Sequence, residues 1–245
     1  MKLPVIHGYI ERRILINFTA DPDDVRKVLP AQFTPKLYKG KAIVGICLIR
    51  LKDVKPKGMP DCMGISSENG AHRIAVEWLE NGERKEGVYV PRRDTSLKFN
   101  HLVGGRLFPG KHDLAKFDVQ ENEDHYHIGF VSSDQTFISI DARESESFAS
   151  DSIFESLENA SAFMKNGSIG YSPNGDKYEG LELDVYNWQV SPLTVSMVSS
   201  SFFEDEAVFP KGSVQFDNAL LMTNMEHEWN SLADIKKAPL NQECF

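Results

Sequence analysis

Lys111, His112 and Asp113 set an ammonium, an imidazole and a carboxylate at consecutive positions, just after Pro109-Gly110 and just before the alternating segment Leu114 to Val119. A bend that feeds a strand is a place where a rigid scaffold displays reactive side chains. A lysine beside other ionisable groups can become an amine nucleophile near neutral pH, and a histidine can give or take a proton there. The same residues also suit a solvated surface turn. Gly104, Gly105 and Arg106 precede the bend. They are not a phosphate loop, because the Walker spacing is missing and no helix follows. Glu68 shares period-two parity with His72, Ile74 and Val76 and is expected on the covered face of a strand. Arg92-Arg93-Asp94 reads as a local ion pair, with Asp94 a further candidate to line a pocket.

Other constellations carry less. His125 and His127 share a strand face, but no cysteine or carboxylate stands at supporting spacing, so no metal is expected. Ser199-Ser200-Ser201 lacks a Gly-x-Ser-x-Gly elbow. His227, within Glu226-His227-Glu228-Trp229, is expected on an exposed helix face.

The elements that must position these groups are mostly strands. Arg13 to Phe18 alternates, and Asp21-Pro22-Asp23-Asp24 opens a short helix that Pro30 ends. Ala42 to Leu51 is almost continuously apolar, as in a strand covered on both faces. His72 to Trp78, the hairpin signal Asn81-Gly82, and Gly87 to Val90 ended by Pro91 follow. Leu114 to Val119, Tyr126 to Val131 and Phe137 to Ala142 continue the pattern. A second helix is capped by Ser156 and stopped by Gly167. Strands are expected over Leu181 to Val190, Leu193 to Val198 and Val214 to Thr223, with Asn224 to Phe245 a short helix or tail. No repeat or linker divides the chain, so residues 1–245 read as a single α+β, mostly β domain: a large curved antiparallel sheet or barrel with a few peripheral helices.

The chain has 245 residues and a net charge of −9, which disfavours nucleic acid as a partner. Its three cysteines, Cys47, Cys62 and Cys244, do not make a disulfide framework. No segment reads as a signal peptide or approaches the roughly 20 apolar residues of a membrane span. The expectation is a cytoplasmic protein without a membrane partner.

Three segments carry a family likeness. They are Ile14 to Pro22 followed by Val25-Arg26-Lys27-Val28-Leu29-Pro30, then Met63 to Gly70, then Val103 to Ala115. In that order and spacing they resemble the acetoacetate decarboxylase-like superfamily, and Phe163 to Pro173, Glu179 to Trp188 and Asn218 to Met222 look like its uncharacterised bacterial branch. The resemblance implies a fold of curved-sheet type, a small-molecule pocket, lyase-like chemistry on a small carbonyl or keto-acid compound, and no organic cofactor. In the decarboxylases a lysine forms a Schiff base and a glutamate on a neighbouring strand assists; Glu68 matches that glutamate. The lysine position falls on His112 in an ungapped match and on Lys111 if Gly110 is an insertion. With Lys111 the chemistry is Schiff-base formation; with His112 it is acid–base catalysis beside a carbonyl. The family's carboxylate-binding arginine falls near Glu11, with Arg12 and Arg13 adjacent; Arg13 and Arg106 are the candidates to take its place, since a guanidinium forks onto a carboxylate. A non-catalytic small-molecule-binding protein on the same fold is the other reading. Homo-oligomer formation stays open.

Overall fold

The computed structural model describes residues 4–98 and 110–237. Fourteen strands join in one sheet. In chain order they are β1 (Ile6–Ala20), β2 (Thr34–Pro35), β3 (Leu37–Tyr38), β4 (Lys41–Pro56), β5 (Ile65–Glu80), β6 (Glu83–Thr95) and β7 (His112–Asn122). There follow β8 (His125–Ser132), β9 (Phe137–Glu144), β10 (Ile169–Asn174), β11 (Lys177–Val185), β12 (Ser191–Ser200), β13 (Val214–Ser231) and β14 (Ile235–Lys236). Two α-helices lie among the described residues: α1 (Pro22–Val28) and α2 (Leu157–Lys165). Both start as the sequence predicts. Asp21 accepts from the Asp23 and Asp24 amides, and Ser156 accepts from Asn159. No helix among the described residues is long and apolar enough to cross a membrane.

The sheet closes on itself twice. One ring runs β6-β7-β8-β9-β12-β13-β1-β4-β5 and returns to β6. A second runs β6-β10-β11-β13-β1-β4-β5. The two share the wall β13-β1-β4-β5-β6. The shared strands are long enough to serve both, since β13 pairs with β12 at Ala219 to Leu221 and with β11 at His227 to Ser231. Most pairings are antiparallel; β6 pairs in parallel with β7 and β10, so the sheet is mixed.

Alternation along the shared wall feeds two cores. Ile14, Ile16, Val44, Ile46, Ile74 and Val76 face the first ring, where β8 and β9 add Ile128 and Ile140. Leu15, Cys47, Ala71, Ala75, Leu220 and Met222 face the second, which α2 plugs with Ala160, Phe163 and Met164. The near-continuous apolar run of β4 is thus a strand buried on both faces, as its sequence indicates.

Some expected limits move. Pro91 lies inside β6, opposite the register shift between His72 and Ile74 on β5, where a bulge spares its missing N–H. Residues 224–231 continue β13 rather than forming a helix, because their alternate side chains Met225, His227 and Trp229 are buried; His227 is therefore a core residue and not an exposed one. The β10 strand has no counterpart in the sequence reading.

His72 sits in the first core against Phe202, Phe203 and Phe130, with ring centroids 4.6, 5.8 and 6.5 Å away. Neither ring nitrogen has a hydrogen-bond partner among the described residues. Burial, with a smaller contribution from Arg92, pushes its pKa down to about 3. A depressed histidine is neutral in the fold and charges in the unfolded chain below its ordinary pKa. Stability is then complete above about pH 6.5 and falls toward pH 3, by about 1.4 kcal/mol per pH unit per proton. Replacing His72 with Leu is expected to flatten the pH dependence of urea unfolding between these limits. An unchanged slope would assign the acid sensitivity elsewhere.

Candidate functional site

A cavity of about 130 Å³ lies inside the second ring, between the shared wall and α2. Its floor is built from cross-strand rows. One row runs His112–Arg93–Ala71–Cys47–Leu15–Leu220 over β7, β6, β5, β4, β1 and β13. The row on one side carries Asn69, Ile49 and Arg13; the row on the other carries Arg73, Gly45 and Asn17. Directly opposed residues nearly touch and diagonal ones lie within reach of long side chains. Cys47 therefore has apolar Leu15 and Ala71 beside it and arginines 13 and 73 on its two diagonals.

Each arginine has a local reason for its pose. Arg73 lies across Gly45 to donate to Asn17 Oδ1. A Cβ at position 45 would stand 3.1 Å from Arg73 Nη2 and would overlap the Ile16 carbonyl oxygen, so only glycine leaves that path open. Arg93 Nε donates to Ser172 Oγ at 3.0 Å. Ser172 in turn packs on Gly110, whose φ of +79° lets the chain turn into β7 and whose N–H donates to Glu179 Oε2 at 3.0 Å. Gly110 thus fixes where His112 enters the sheet, buried beside Arg93.

The cavity is cationic. Arg13, Arg73 and Arg93 line it, and among the described residues none of the three forms an ion pair with a carboxylate. Arg13 Nε and Nη1 and Arg73 Nε are buried without hydrogen-bond partners. Burial lowers the pKa of Arg73, and it lowers that of Arg93 to about 10 against a smaller opposing pull from Cys47. Arg13 Nη2 donates to Cys47 Sγ at 3.6 Å. Burial pushes the Cys47 thiol up, but the charges of Arg13 and Arg73 together with their hydrogen bonds outweigh it, and the net is a lowered pKa. Apolar cover comes from Val88, Val90, Phe163, Met164 and Trp229.

The residues singled out in the sequence divide between this cavity and other places. Arg13, Asp94 and His112 line it. Asp94 is wholly buried, with its carboxylate accepting from Arg92 at 2.7 and 2.9 Å and from Ser132; the expected Arg92–Asp94 pair is present and the Asp94 oxygens are occupied by it. Lys111 is 77% exposed and pairs with Asp113 at 3.0 Å, away from the cavity. Arg106 lies outside the described residues.

Glu68 corrects the expected convergence of a carboxylate with His112. It lies in an open depression with Ser96, Leu114 and Phe117 and not in the cavity. Its oxygens accept from Arg12 Nη2 at 2.6 Å and from Arg50 Nε, and both arginines also hold Glu121. The cause is parity. Glu68 does share a face with His72 and Ile74, but that face looks into the first ring, while the cavity lies behind the other face of the same strand. The same reasoning applies to His112, which points away from Ala115 and Phe117 and so enters the second ring.

Cys47, Arg73, Arg93 and Lys36 are cavity residues that the sequence reading passed over. Lys36 pairs with Glu86 at 2.5 Å and lies 4.4 Å from the centre of the Phe163 ring. The available signal was Arg73, a charge in the middle of a strand paired with one covered on both faces. His125 and His127 both bond to Asp141, at 3.1 and 3.3 Å, on a partly exposed strand face.

Solved structures with the same architecture are acetoacetate decarboxylase and its relatives. The acetoacetate decarboxylase of Legionella pneumophila superposes with a TM-score of 0.57 at 15% identity, covering 94% of this chain and 88% of that one. An acetoacetate decarboxylase-like enzyme of Sphingomonas wittichii gives 0.57 at 10% identity, over 96% and 94%. The enduracididine biosynthesis enzyme MppR, complexed with pyruvate, gives 0.60 at 9% identity, over 97% and 92%. At these identities the likeness is one of fold. No curated protein matches the sequence. Residues 10–220 match the model of the DUF2071 family, described as an uncharacterized conserved protein, and the chain belongs to that family, on an acetoacetate decarboxylase-like fold.

Proposed function

We propose that the protein binds a small carbonyl-bearing carboxylate, of keto-acid type, in the arginine-lined cavity and moves a proton beside its carbonyl through His112. The observation that carries this reading is the set of three guanidiniums lining one cavity without a carboxylate partner among the described residues. A buried charge without a counter-ion is costly, and an anionic ligand would relieve it. Even with Cys47 as a thiolate the cluster stays net positive. A volume near 130 Å³ suits a ligand of a few heavy atoms and is far below that of a nucleotide site. In this reading one guanidinium forks onto the ligand carboxylate and another polarises the carbonyl, stabilising an enolate as it forms. His112 takes the proton from the adjacent carbon and returns it. Lys111, exposed and ion-paired, has no covalent part, and Glu68 acts by holding Arg12 and Arg50. The likeness to MppR, captured with pyruvate and with the condensation product of pyruvate and imidazole 4-carboxaldehyde, supports the ligand class.

The reading extends to the whole chain as one domain, working in the reducing cytoplasm without nucleic acid or membrane as partner. Self-association is left to measurement. A non-catalytic binding protein is the second reading, favoured by the engagement of Glu68 outside the cavity.

Calorimetry with pyruvate and with its uncharged methyl ester tests the pocket. Pyruvate is expected to bind and the ester not, and Arg93→Gln is expected to weaken pyruvate by about tenfold or more. Proton NMR in deuterium oxide tests the chemistry: the methyl protons should exchange with the protein present, and His112→Gln should stop exchange while keeping affinity. Binding without exchange would favour the second reading; no binding would overturn both. Glu68→Ala should lower stability by about 2 kcal/mol, because it strips Arg12 of one of two partners, and should leave pyruvate affinity unchanged. Lost affinity in a variant that still folds would return Glu68 to the ligand site. Borohydride with pyruvate should leave no adduct on Lys111.

A further inference from the structure

We propose that Cys47 is a nucleophile that bonds covalently to small carboxylates carrying an electrophilic carbon, with Arg13 and Arg73 holding the carboxylate beside the thiol. The inference rests on the anion-binding reading of the cavity and adds to it a reacting atom that the proton-transfer chemistry does not use.

Position is the first argument. Cys47 lines the cavity at the centre of its floor, with Ala71 and Leu15 as neighbours in its own row and the two arginines on its diagonals. Arg13 Nη2 is 3.6 Å from the sulfur. Arg73 is only 5% exposed and lines the same cavity with its Nε unpartnered. A carboxylate bonded to either guanidinium therefore brings its second or third carbon next to Sγ.

Chemistry is the second. A structural cysteine packed in apolar surroundings is inert because burial keeps it protonated. Cys47 is buried, yet the two guanidiniums more than offset that effect, and the thiolate is the reactive form. No adjacent base is needed. With a 2-halo acid, the thiolate pair forms a bond to the second carbon and the halide leaves with the bonding pair. With a 2-enoate, the thiolate adds to the third carbon, the double-bond pair moves to the second, and that carbon takes a proton from water or from His112. Neither route requires an oxidant or a cofactor.

The reagent pair iodoacetate and iodoacetamide tests this on the reduced full-length chain, with adducts located by peptide mass spectrometry. Cys62, which is exposed, is the internal reference. At Cys47 iodoacetate is expected to outpace iodoacetamide by about tenfold, as two guanidiniums a few ångströms from the reagent imply, while Cys62 shows no such preference. Pyruvate should slow the reaction at Cys47 only, and Cys47→Ser should remove that adduct while leaving the one at Cys62. An unmodified Cys47 beside a modified Cys62 would overturn the proposal, as would faster labelling of Cys47 by the amide. Pyruvate binding by calorimetry without Cys47 labelling would reject the thiol chemistry and keep the pocket. Anion-selective labelling that pyruvate does not slow would keep the thiol chemistry and reject pyruvate-like ligands.

Discussion

The middle of the wall β13-β1-β4-β5-β6 is covered on both faces, and the rest of the molecule follows from that constraint. A strand buried on one side can place polar groups on the other. These strands cannot, so each polar residue in them must be compensated or must face a cavity. The first ring takes the compensated solution around Glu68, where two arginines and two glutamates neutralise one another at its rim. The second takes the other: Arg13, Arg73 and Arg93 surround a hollow, and their carboxylate partners are missing among the described residues. Arg12 and Arg13 are adjacent in sequence and meet opposite fates because successive side chains point to opposite faces.

Much of the fold was legible in the sequence. Period-two patterns located most strands, the two caps located the α-helices among the described residues, and the unbroken apolar run of β4 disclosed a strand covered twice. What period two does not reveal is which covered face encloses a hollow. Glu68 lies on the apolar side of β5, and the cavity is behind the other side; His112 reaches the cavity, where the ungapped family match places it, although the apolar alternation of its strand runs through Ala115 and Phe117. Pro91 and the end of β13 were misplaced for a related reason: a bulge absorbs the proline, and the charged alternate positions of β13 disguised a buried stripe of Met225, His227 and Trp229.

The site itself was only half visible. The segment around His112 stood out because its ionisable residues are consecutive. Cys47 and Arg73 did not, since they lie 26 positions apart and their meeting depends on strand register. Gly45 shows how indirect such signals can be. Its role is to leave room for a side chain from the neighbouring strand, and nothing in its own surroundings in the sequence announces that.

The shared wall also sets how this chain can drift over evolutionary time. Adding or removing one residue in β1, β4 or β5 would swap every side chain beyond that point between the hydrocarbon packing of one compartment and the charged lining of the other. Length changes there would damage two interiors at once. Strands that belong to a single ring, such as β8 and β9, expose one side and can absorb the same change with a local bulge. Divergent members of the family should therefore differ in length along the single-ring strands and their connections, while the common strands keep a fixed residue count.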